Sequence, residues 1–151
     1  MNKYIIRDYS TGDYIQVYNL WKDTGLWNSE RQDDEKSIND CLNIGGKFLV
    51  LTETSNNLII GTSWMTFDGR RFYLHHFAIK PEYQGKGLGT LLAKSSLNFI
   101  RKSGYQVKLE VHKQNQSALH LYKKLGFFAF TDYEILMIRD VHKIPNDIIE
   151  L

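Results

Sequence analysis

Apolar positions along the chain change their period several times, and each change marks an element. Residues 3–9, KYIIRDY, read as a first strand. Ser10 or Thr11 then caps an amphipathic helix carrying Tyr14, Val17, Tyr18 and Trp21 at helical spacing, with Gly25 ending it. A more polar helix follows over SERQDDEKSINDCLN, closed by Gly45 and Gly46. FLVL at 48–51 is a continuous apolar run, as expected of a strand covered on both faces. Asn56-Asn57 turns it into LIIGTSWMTF, and Asp68-Gly69 turns that into RRFYLHHFAI. Both turns carry residues that tolerate positive φ, which predicts three antiparallel strands in sequence. Gly61 inside the middle strand predicts a bulge.

After Pro81 the period becomes helical. Leu88, Leu91, Leu92, Ser95 and Phe99 form one stripe of a helix at about 86–103, running to Gly104. A strand QVKLEVH comes next, then a helix opened by Asn115 with Ala118, Leu121, Tyr122 and Leu125 on one face. A FFAF turn and a strand YEILMIR complete the order β-α-α-β-β-β-α-β-α-β-β. That order predicts a single α/β domain of the α+β type with a mixed, mostly antiparallel sheet of about seven strands and four helices. One right-handed crossover joins its two parallel strands.

Composition narrows the class of function. At 151 residues, 42% apolar and 24% charged, the chain has an ordinary globular balance, and its net charge of +2 does not suggest a nucleic-acid binder. One cysteine, Cys41, excludes an internal disulfide and any Cys-based zinc site, and five scattered histidines predict no metal. No apolar run is long enough for a signal peptide or a membrane span, so a cytoplasmic, soluble protein is expected. Edge strands and the C-terminal DIIEL leave a homodimer open.

The chemistry concentrates in YQGKGLGT, residues 83–90. It fails as a P-loop, because Gly87 follows Lys86 and no glycine stands five before Gly85. It fails as a dinucleotide-binding GxGxxG, because Thr90 stands where the third glycine belongs. Gly85, Gly87 and Gly89 nonetheless open a helix directly. Backbone N–H groups from Gly85 through Lys86, Leu88 and Thr90 would then point at one spot, aided by the helix dipole. The alternative for these glycines is a tight strand-to-helix turn and nothing more.

Two motifs point beyond that alternative. HFAIKPEYQGKGLGTLL resembles motif A of the GCN5-related N-acetyltransferases, the GNAT superfamily, with Gln84, Gly87 and Gly89 on its Q/R-x-x-G-x-G/A pattern. LEVHKQNQSALHLYKKLGF resembles motif B of the same superfamily, about thirty residues downstream. Together they cover roughly residues 72–128; the N-terminal third matches in element order only. The resemblance implies that the phosphates are those of acetyl-CoA, with the diphosphate on residues 84–90 and the pantetheine arm along Phe77, Ala78 and Ile79. It implies two parallel strands that splay there, so that the N–H of Ile79 or a neighbour can polarise the thioester carbonyl. Asn115 and Ser117 match positions near CoA; Asn115 also reads as a plain helix N-cap.

A proton acceptor helps acetyl transfer to an amine, directly or through water, and the alternatives are Glu110, His75, and water alone or another group. An amine with pKa near ~10.4 costs about 4–5 kcal/mol to neutralise at pH 7, an α-amine near ~7.8 only about 1 kcal/mol. Glu110, twelve residues before Tyr122, resembles the base of ribosomal-protein N-terminal acetyltransferases. His75 resembles the strand histidine of arylalkylamine acetyltransferases, whereas His76 should point to the opposite face as a packed residue. Tyr122 matches the superfamily tyrosine that serves the departing thiolate; its alternative is a core tyrosine.

The acceptor is expected in a cleft near Trp21, Trp27, Trp64 and Tyr73, residues that would equally serve a core. The Asp33-Asp34-Glu35 run reads either as an attractor for a cationic amine or as a solvated helix face. A small-molecule or amino-acid-like amine acetyltransferase is the leading expectation. A protein N-terminal or lysine acetyltransferase and a non-catalytic acyl-CoA-binding module are the alternatives.

Overall fold

The computed structural model describes residues 2–145; DIIEL lies outside the described residues. Its sheet has the order β1 (Tyr4–Asp8), β2 (Lys47–Glu53), β3 (Leu58–Phe67), β4 (Arg71–Ile79) and β5 (Gln106–Leu109). The first four strands are antiparallel neighbours, and β5 joins β4 in parallel. Helices α1 (Tyr14–Asp23) and α2 (Glu35–Asn43) lie between β1 and β2. Helix α3 (Leu88–Ser103) makes the crossover from β4 to β5, and α4 (Gln116–Lys124) follows β5. The second helix is shorter than its polar pattern predicts, because Gln32 adopts a left-handed backbone and Ser29–Arg31 forms a separate 3-10 turn.

Each face of the sheet carries its own core. On one, Val17, Leu20 and Trp21 of α1 and Ile38 and Cys41 of α2 pack on Phe48, Val50, Ile59 and Trp64. On the other, Leu88, Leu92 and Ile100 of α3 and Tyr122 of α4 pack on Leu51, Ile60, Phe72, Leu74 and Ile79. The two-sided covering accounts for the unbroken apolar run of β2. The entry to α1 is fastened by Asp13, which accepts both guanidinium nitrogens of Arg7 at 2.7 and 2.9 Å and the Ser10 N–H at 2.8 Å. The Arg7 guanidinium foremost holds the Asp13 carboxyl below its usual range.

Two irregularities shape the sheet. The register of β2 and β3 shifts opposite Leu51 and Thr52, at the Gly61 bulge expected from sequence. A side chain at 61 would meet Ile79 Cδ1 at 2.7 Å and the Ala78 carbonyl at 3.2 Å, so any larger residue must displace its neighbours. A second shift lies between β3 and β4, where Thr62 pairs with Ala78 and Trp64 with His75. The extra residue is on β4, and His76 takes φ of 43°.

Among the described residues the sheet has five strands, which corrects the expectation of about seven. QVKLEVH keeps strand structure only as far as Leu109, and neither FFAF nor YEILMIR forms a strand. YEILMIR has no alternation that would give it one wet and one dry face, and its strand propensity is realised only against a partner surface. Phe128, Phe130, Tyr133 and Leu136 stand exposed, the first three in an edge-to-face chain.

Candidate active site

The site forms where the parallel ladder stops. Strand β5 pairs with β4 only from Arg71 to Leu74, against Gln106 to Leu109. The β4 residues His75 to Ile79 continue along β3 with no β5 partner, so the two parallel strands part at that point.

Helix α3 begins directly beyond the end of β4. A turn at Pro81–Tyr83 leads into Gly85 and Gly87, whose φ values are 72° and 76°. Nothing lies within 4 Å of a side chain placed at either position, so conformation, not crowding, demands glycine. Gly87 is the N-cap of α3 and has no side chain to cap it. The N–H groups of Leu88, Gly89 and Thr90 therefore lack intrahelical acceptors and carry the positive end of the helix dipole. A helix start of this kind suits an anion such as a diphosphate, and nothing stands within 4 Å of a Cβ placed at Gly85 or Gly87. Gln84 braces the loop by donating its side-chain amide to the Ile79 carbonyl at 2.9 Å. Lys86 is folded back: its ammonium donates to the Glu82 carbonyl at 2.8 Å and stands 5.0 Å over the Tyr83 ring.

Helix α4 supplies Tyr122 from the α3 side. Its ring meets Phe77 edge to face at 6.1 Å and Phe127 at 5.5 Å. Motifs A and B thus touch through Phe77 and Tyr122 at the parting of the strands. The ring is 8% exposed, and burial pushes its hydroxyl up to about 12. Asn115 caps α4, its side-chain oxygen accepting from the Ala118 N–H at 3.2 Å, and Ser117 is exposed one turn in.

The opposite face carries the two candidate bases. The His75 ring stacks on Tyr73 at 4.1 Å with 11° between planes, and its Nε2 pairs with the Thr66 hydroxyl at 2.9 Å. Burial, aided by the neighbouring His76, pushes His75 down to about 4. An imidazole so placed is neutral at physiological pH and a poor proton acceptor, unlike the unperturbed group the sequence suggests. Glu110, exposed just past the end of β5, stands near the Tyr73 hydroxyl. Burial foremost and then Glu110 push that hydroxyl above its usual range. Tyr73 thereby joins the two residues that sequence reasoning treats as rivals, and only its wall position was legible beforehand.

His76 departs from the simple alternation. It is a packed residue as expected, 4.4 Å from Trp21, but the β4 bulge turns its ring to the same side as His75, and both face Trp64. Its Nε2 lies 2.8 Å from Asp33 without a directed hydrogen bond. Trp21 and Trp64 belong to the core, while Trp27 is 37% exposed. Among the described residues no group of three or more His, Cys, Asp or Glu is arranged to hold a metal ion, and no helix is long and apolar enough to cross a membrane.

Residues 14–127 match the family model described as the Acetyltransferase (GNAT) family. The L-amino acid N-acyltransferase MnaT of Escherichia coli K12 is 30% identical over 122 residues, covering 74% of this chain and 70% of that protein. An acetyltransferase from Streptococcus agalactiae superposes with a TM-score of 0.76 at 22% identity, covering 91% of this chain and 92% of that one. The ribosomal-protein-S18-alanine N-acetyltransferase from Escherichia coli superposes with a TM-score of 0.72 at 24% identity, covering 85% and 79%. Sequence relationship, fold and the joined motifs agree, and the chain belongs to the GNAT acetyltransferase family.

Proposed function

We propose that this protein transfers the acetyl group of acetyl-CoA to a primary amine of a small molecule by direct attack. One observation carries the reading: the uncapped start of α3 stands at the end of the same strand, β4, whose free edge Tyr122 reaches through Phe77. Acetyl-CoA supplies an activated acyl thioester when bound.

The residues take the following parts. Gly85 to Thr90 receive the diphosphate on main-chain amides. Phe77, Ala78 and Ile79 receive the pantetheine arm along the free strand edge, as an added strand would pair. An N–H at Ile79 or its neighbour polarises the thioester carbonyl. Tyr122 donates a hydrogen bond to the departing sulfur; with its hydroxyl pushed up to about 12, this serves better than full proton transfer to a thiolate. Glu110 takes the amine proton with the Tyr73 hydroxyl alongside, and His75, held neutral by burial, shapes the wall. Holding amine and thioester together supplies most of the rate, with no covalent enzyme intermediate.

A small-molecule acceptor is supported by the name of the L-amino acid N-acyltransferase relative. The test is release of free thiol from acetyl-CoA across a panel of amines and peptides. Thiol release with small amines is the expected result. Release with peptides alone moves the acceptor to protein, and acetyl-CoA binding without release for any member leaves a binding module.

A further inference from the structure

A cavity of about 320 Å³ opens between α1 and the loop that leads into α2. Tyr14, Tyr18 and Trp27 wall it, and Asp33 and Asp34 supply carboxylates. Tyr18 meets Trp27 edge to face at 5.4 Å, and Tyr14 tilts against Tyr18 at 6.2 Å, so the rings present faces in several directions. No lysine or arginine lines the cavity, which leaves an entering carboxylate without a counter-charge. Ring faces attract ammonium groups through their quadrupole, and their apolar area suits the methylenes of an alkyl chain. Lys22 already shows this on Tyr18, its ammonium 5.3 Å from the ring centroid.

The two carboxylates differ. Asp34 is engaged as the N-cap of α2, accepting from the Ser37 N–H and hydroxyl, each at 2.8 Å. Asp33 has a side chain only 16% exposed; its Oδ2 is buried 2.8 Å from the His76 Nε2, so contact with the cavity falls to its other oxygen. Burial and the surrounding Asp34, Tyr18, Glu35 and Asp33 all push the Tyr14 hydroxyl upward, consistent with a negative field in the cavity. Asp33 also ties the cavity to the reaction site, since His76, 2.8 Å away, stands between His75 and Phe77 on β4.

We propose that this cavity holds a second ammonium group of the acceptor, so that the acetylated amine belongs to a linear diamine or polyamine without a carboxylate. The inference rests on the acetyl-transfer reading above. Asp33 favours the protonated form of the amine it holds, which makes that amine the anchor and the distant one the nucleophile. At the distant amine a C–N bond forms to the acetyl carbon as the C–S bond breaks. Of the two protons the ammonium nitrogen loses, one goes to the base and the other to the sulfur, which leaves as CoA thiol.

The experiment compares spermidine with butylamine and L-methionine, by calorimetric titration into the CoA-bound protein and by thiol release. Tighter binding and a higher kcat/KM for spermidine are expected. In Asp33→Asn and in Tyr18→Leu the spermidine KM should rise about tenfold or more, with unchanged acetyl-CoA affinity reporting an intact fold. Equal use of butylamine, preference for L-methionine, or an unmoved spermidine KM in both variants overturns the anchor while leaving acetyl transfer in place. Spermidine binding that needs Asp33 but yields no thiol with any amine supports the cation site and removes the enzymatic reading. Neither binding nor release removes both.

Discussion

Thr62 donates its hydroxyl proton to the carbonyl oxygen of His76 across 2.8 Å. The Thr62 hydroxyl oxygen itself accepts from the Trp21 indole N–H at 3.1 Å, so one fully buried hydroxyl joins α1, β3 and the β4 bulge. The bulge turns the His76 ring beside His75, just before the free edge at Phe77. A threonine on the middle strand thus fixes the geometry of the strand that borders the candidate site.

Thr62→Val keeps the shape and removes both hydrogen bonds. It leaves an indole N–H and a carbonyl unsatisfied in a dry core, at an expected cost of about 2–3 kcal/mol. Urea unfolding measures this, and a loss below about 0.5 kcal/mol would show that the bulge holds without the bond.

Stability should depend on pH through His75. The folded chain resists protonation at His75 until about pH 4, whereas the unfolded chain accepts the proton near 6.5. The contribution of neutral His75 is therefore whole above about pH 6.5 and is lost as pH falls toward 4, by of order 3 kcal/mol. In His75→Gln the fall between these limits should be shallower, as read from denaturant midpoints in parallel pH series; identical slopes would refute the burial of a neutral ring.

Gly87 is needed for its φ of 76°. An alanine there carries a left-handed penalty of roughly 1–2 kcal/mol, and asparagine tolerates that conformation better. Acetyl-CoA affinity should fall about tenfold in Gly87→Ala and by less in Gly87→Asn. Calorimetry ranks the three proteins, and equal affinities would take the conformation of Gly87 out of coenzyme binding.

The base and acid should separate in kinetics. Glu110→Gln is expected to lower kcat/KM by about a hundredfold, and His75→Gln by less than about tenfold. Tyr122→Phe should lower kcat at least about tenfold while acetyl-CoA binding stays within about twofold. A wild-type kcat in Tyr122→Phe removes the hydroxyl from the reaction and leaves Tyr122 as a core residue.

The strand-turn-strand order through β4 was legible because apolar runs and the turn pairs Asn56-Asn57 and Asp68-Gly69 act locally. The glycine loop was legible because positive φ leaves only a few residue types to choose from. The second bulge was not, since His76 adopts φ of 43° with no glycine to announce it. That hidden irregularity also defeated the alternation argument for the two histidines. The expected strand at YEILMIR failed for a different reason: strand propensity describes how a side chain fits a covered surface, and these residues have none in this fold. The stacking of Tyr73 on His75 follows the alternation of β4, but the nearness of Tyr73 to Glu110 and of Asp33 to His76 arises only when distant elements meet, and no local pattern encodes it.

The most direct test is an amide NMR titration with acetyl-CoA. The largest shifts should fall on the N–H signals of residues 85–90, with smaller ones along Phe77 to Ile79. Shifts confined to other elements, or none at saturating acetyl-CoA, would contradict a diphosphate held at the start of α3.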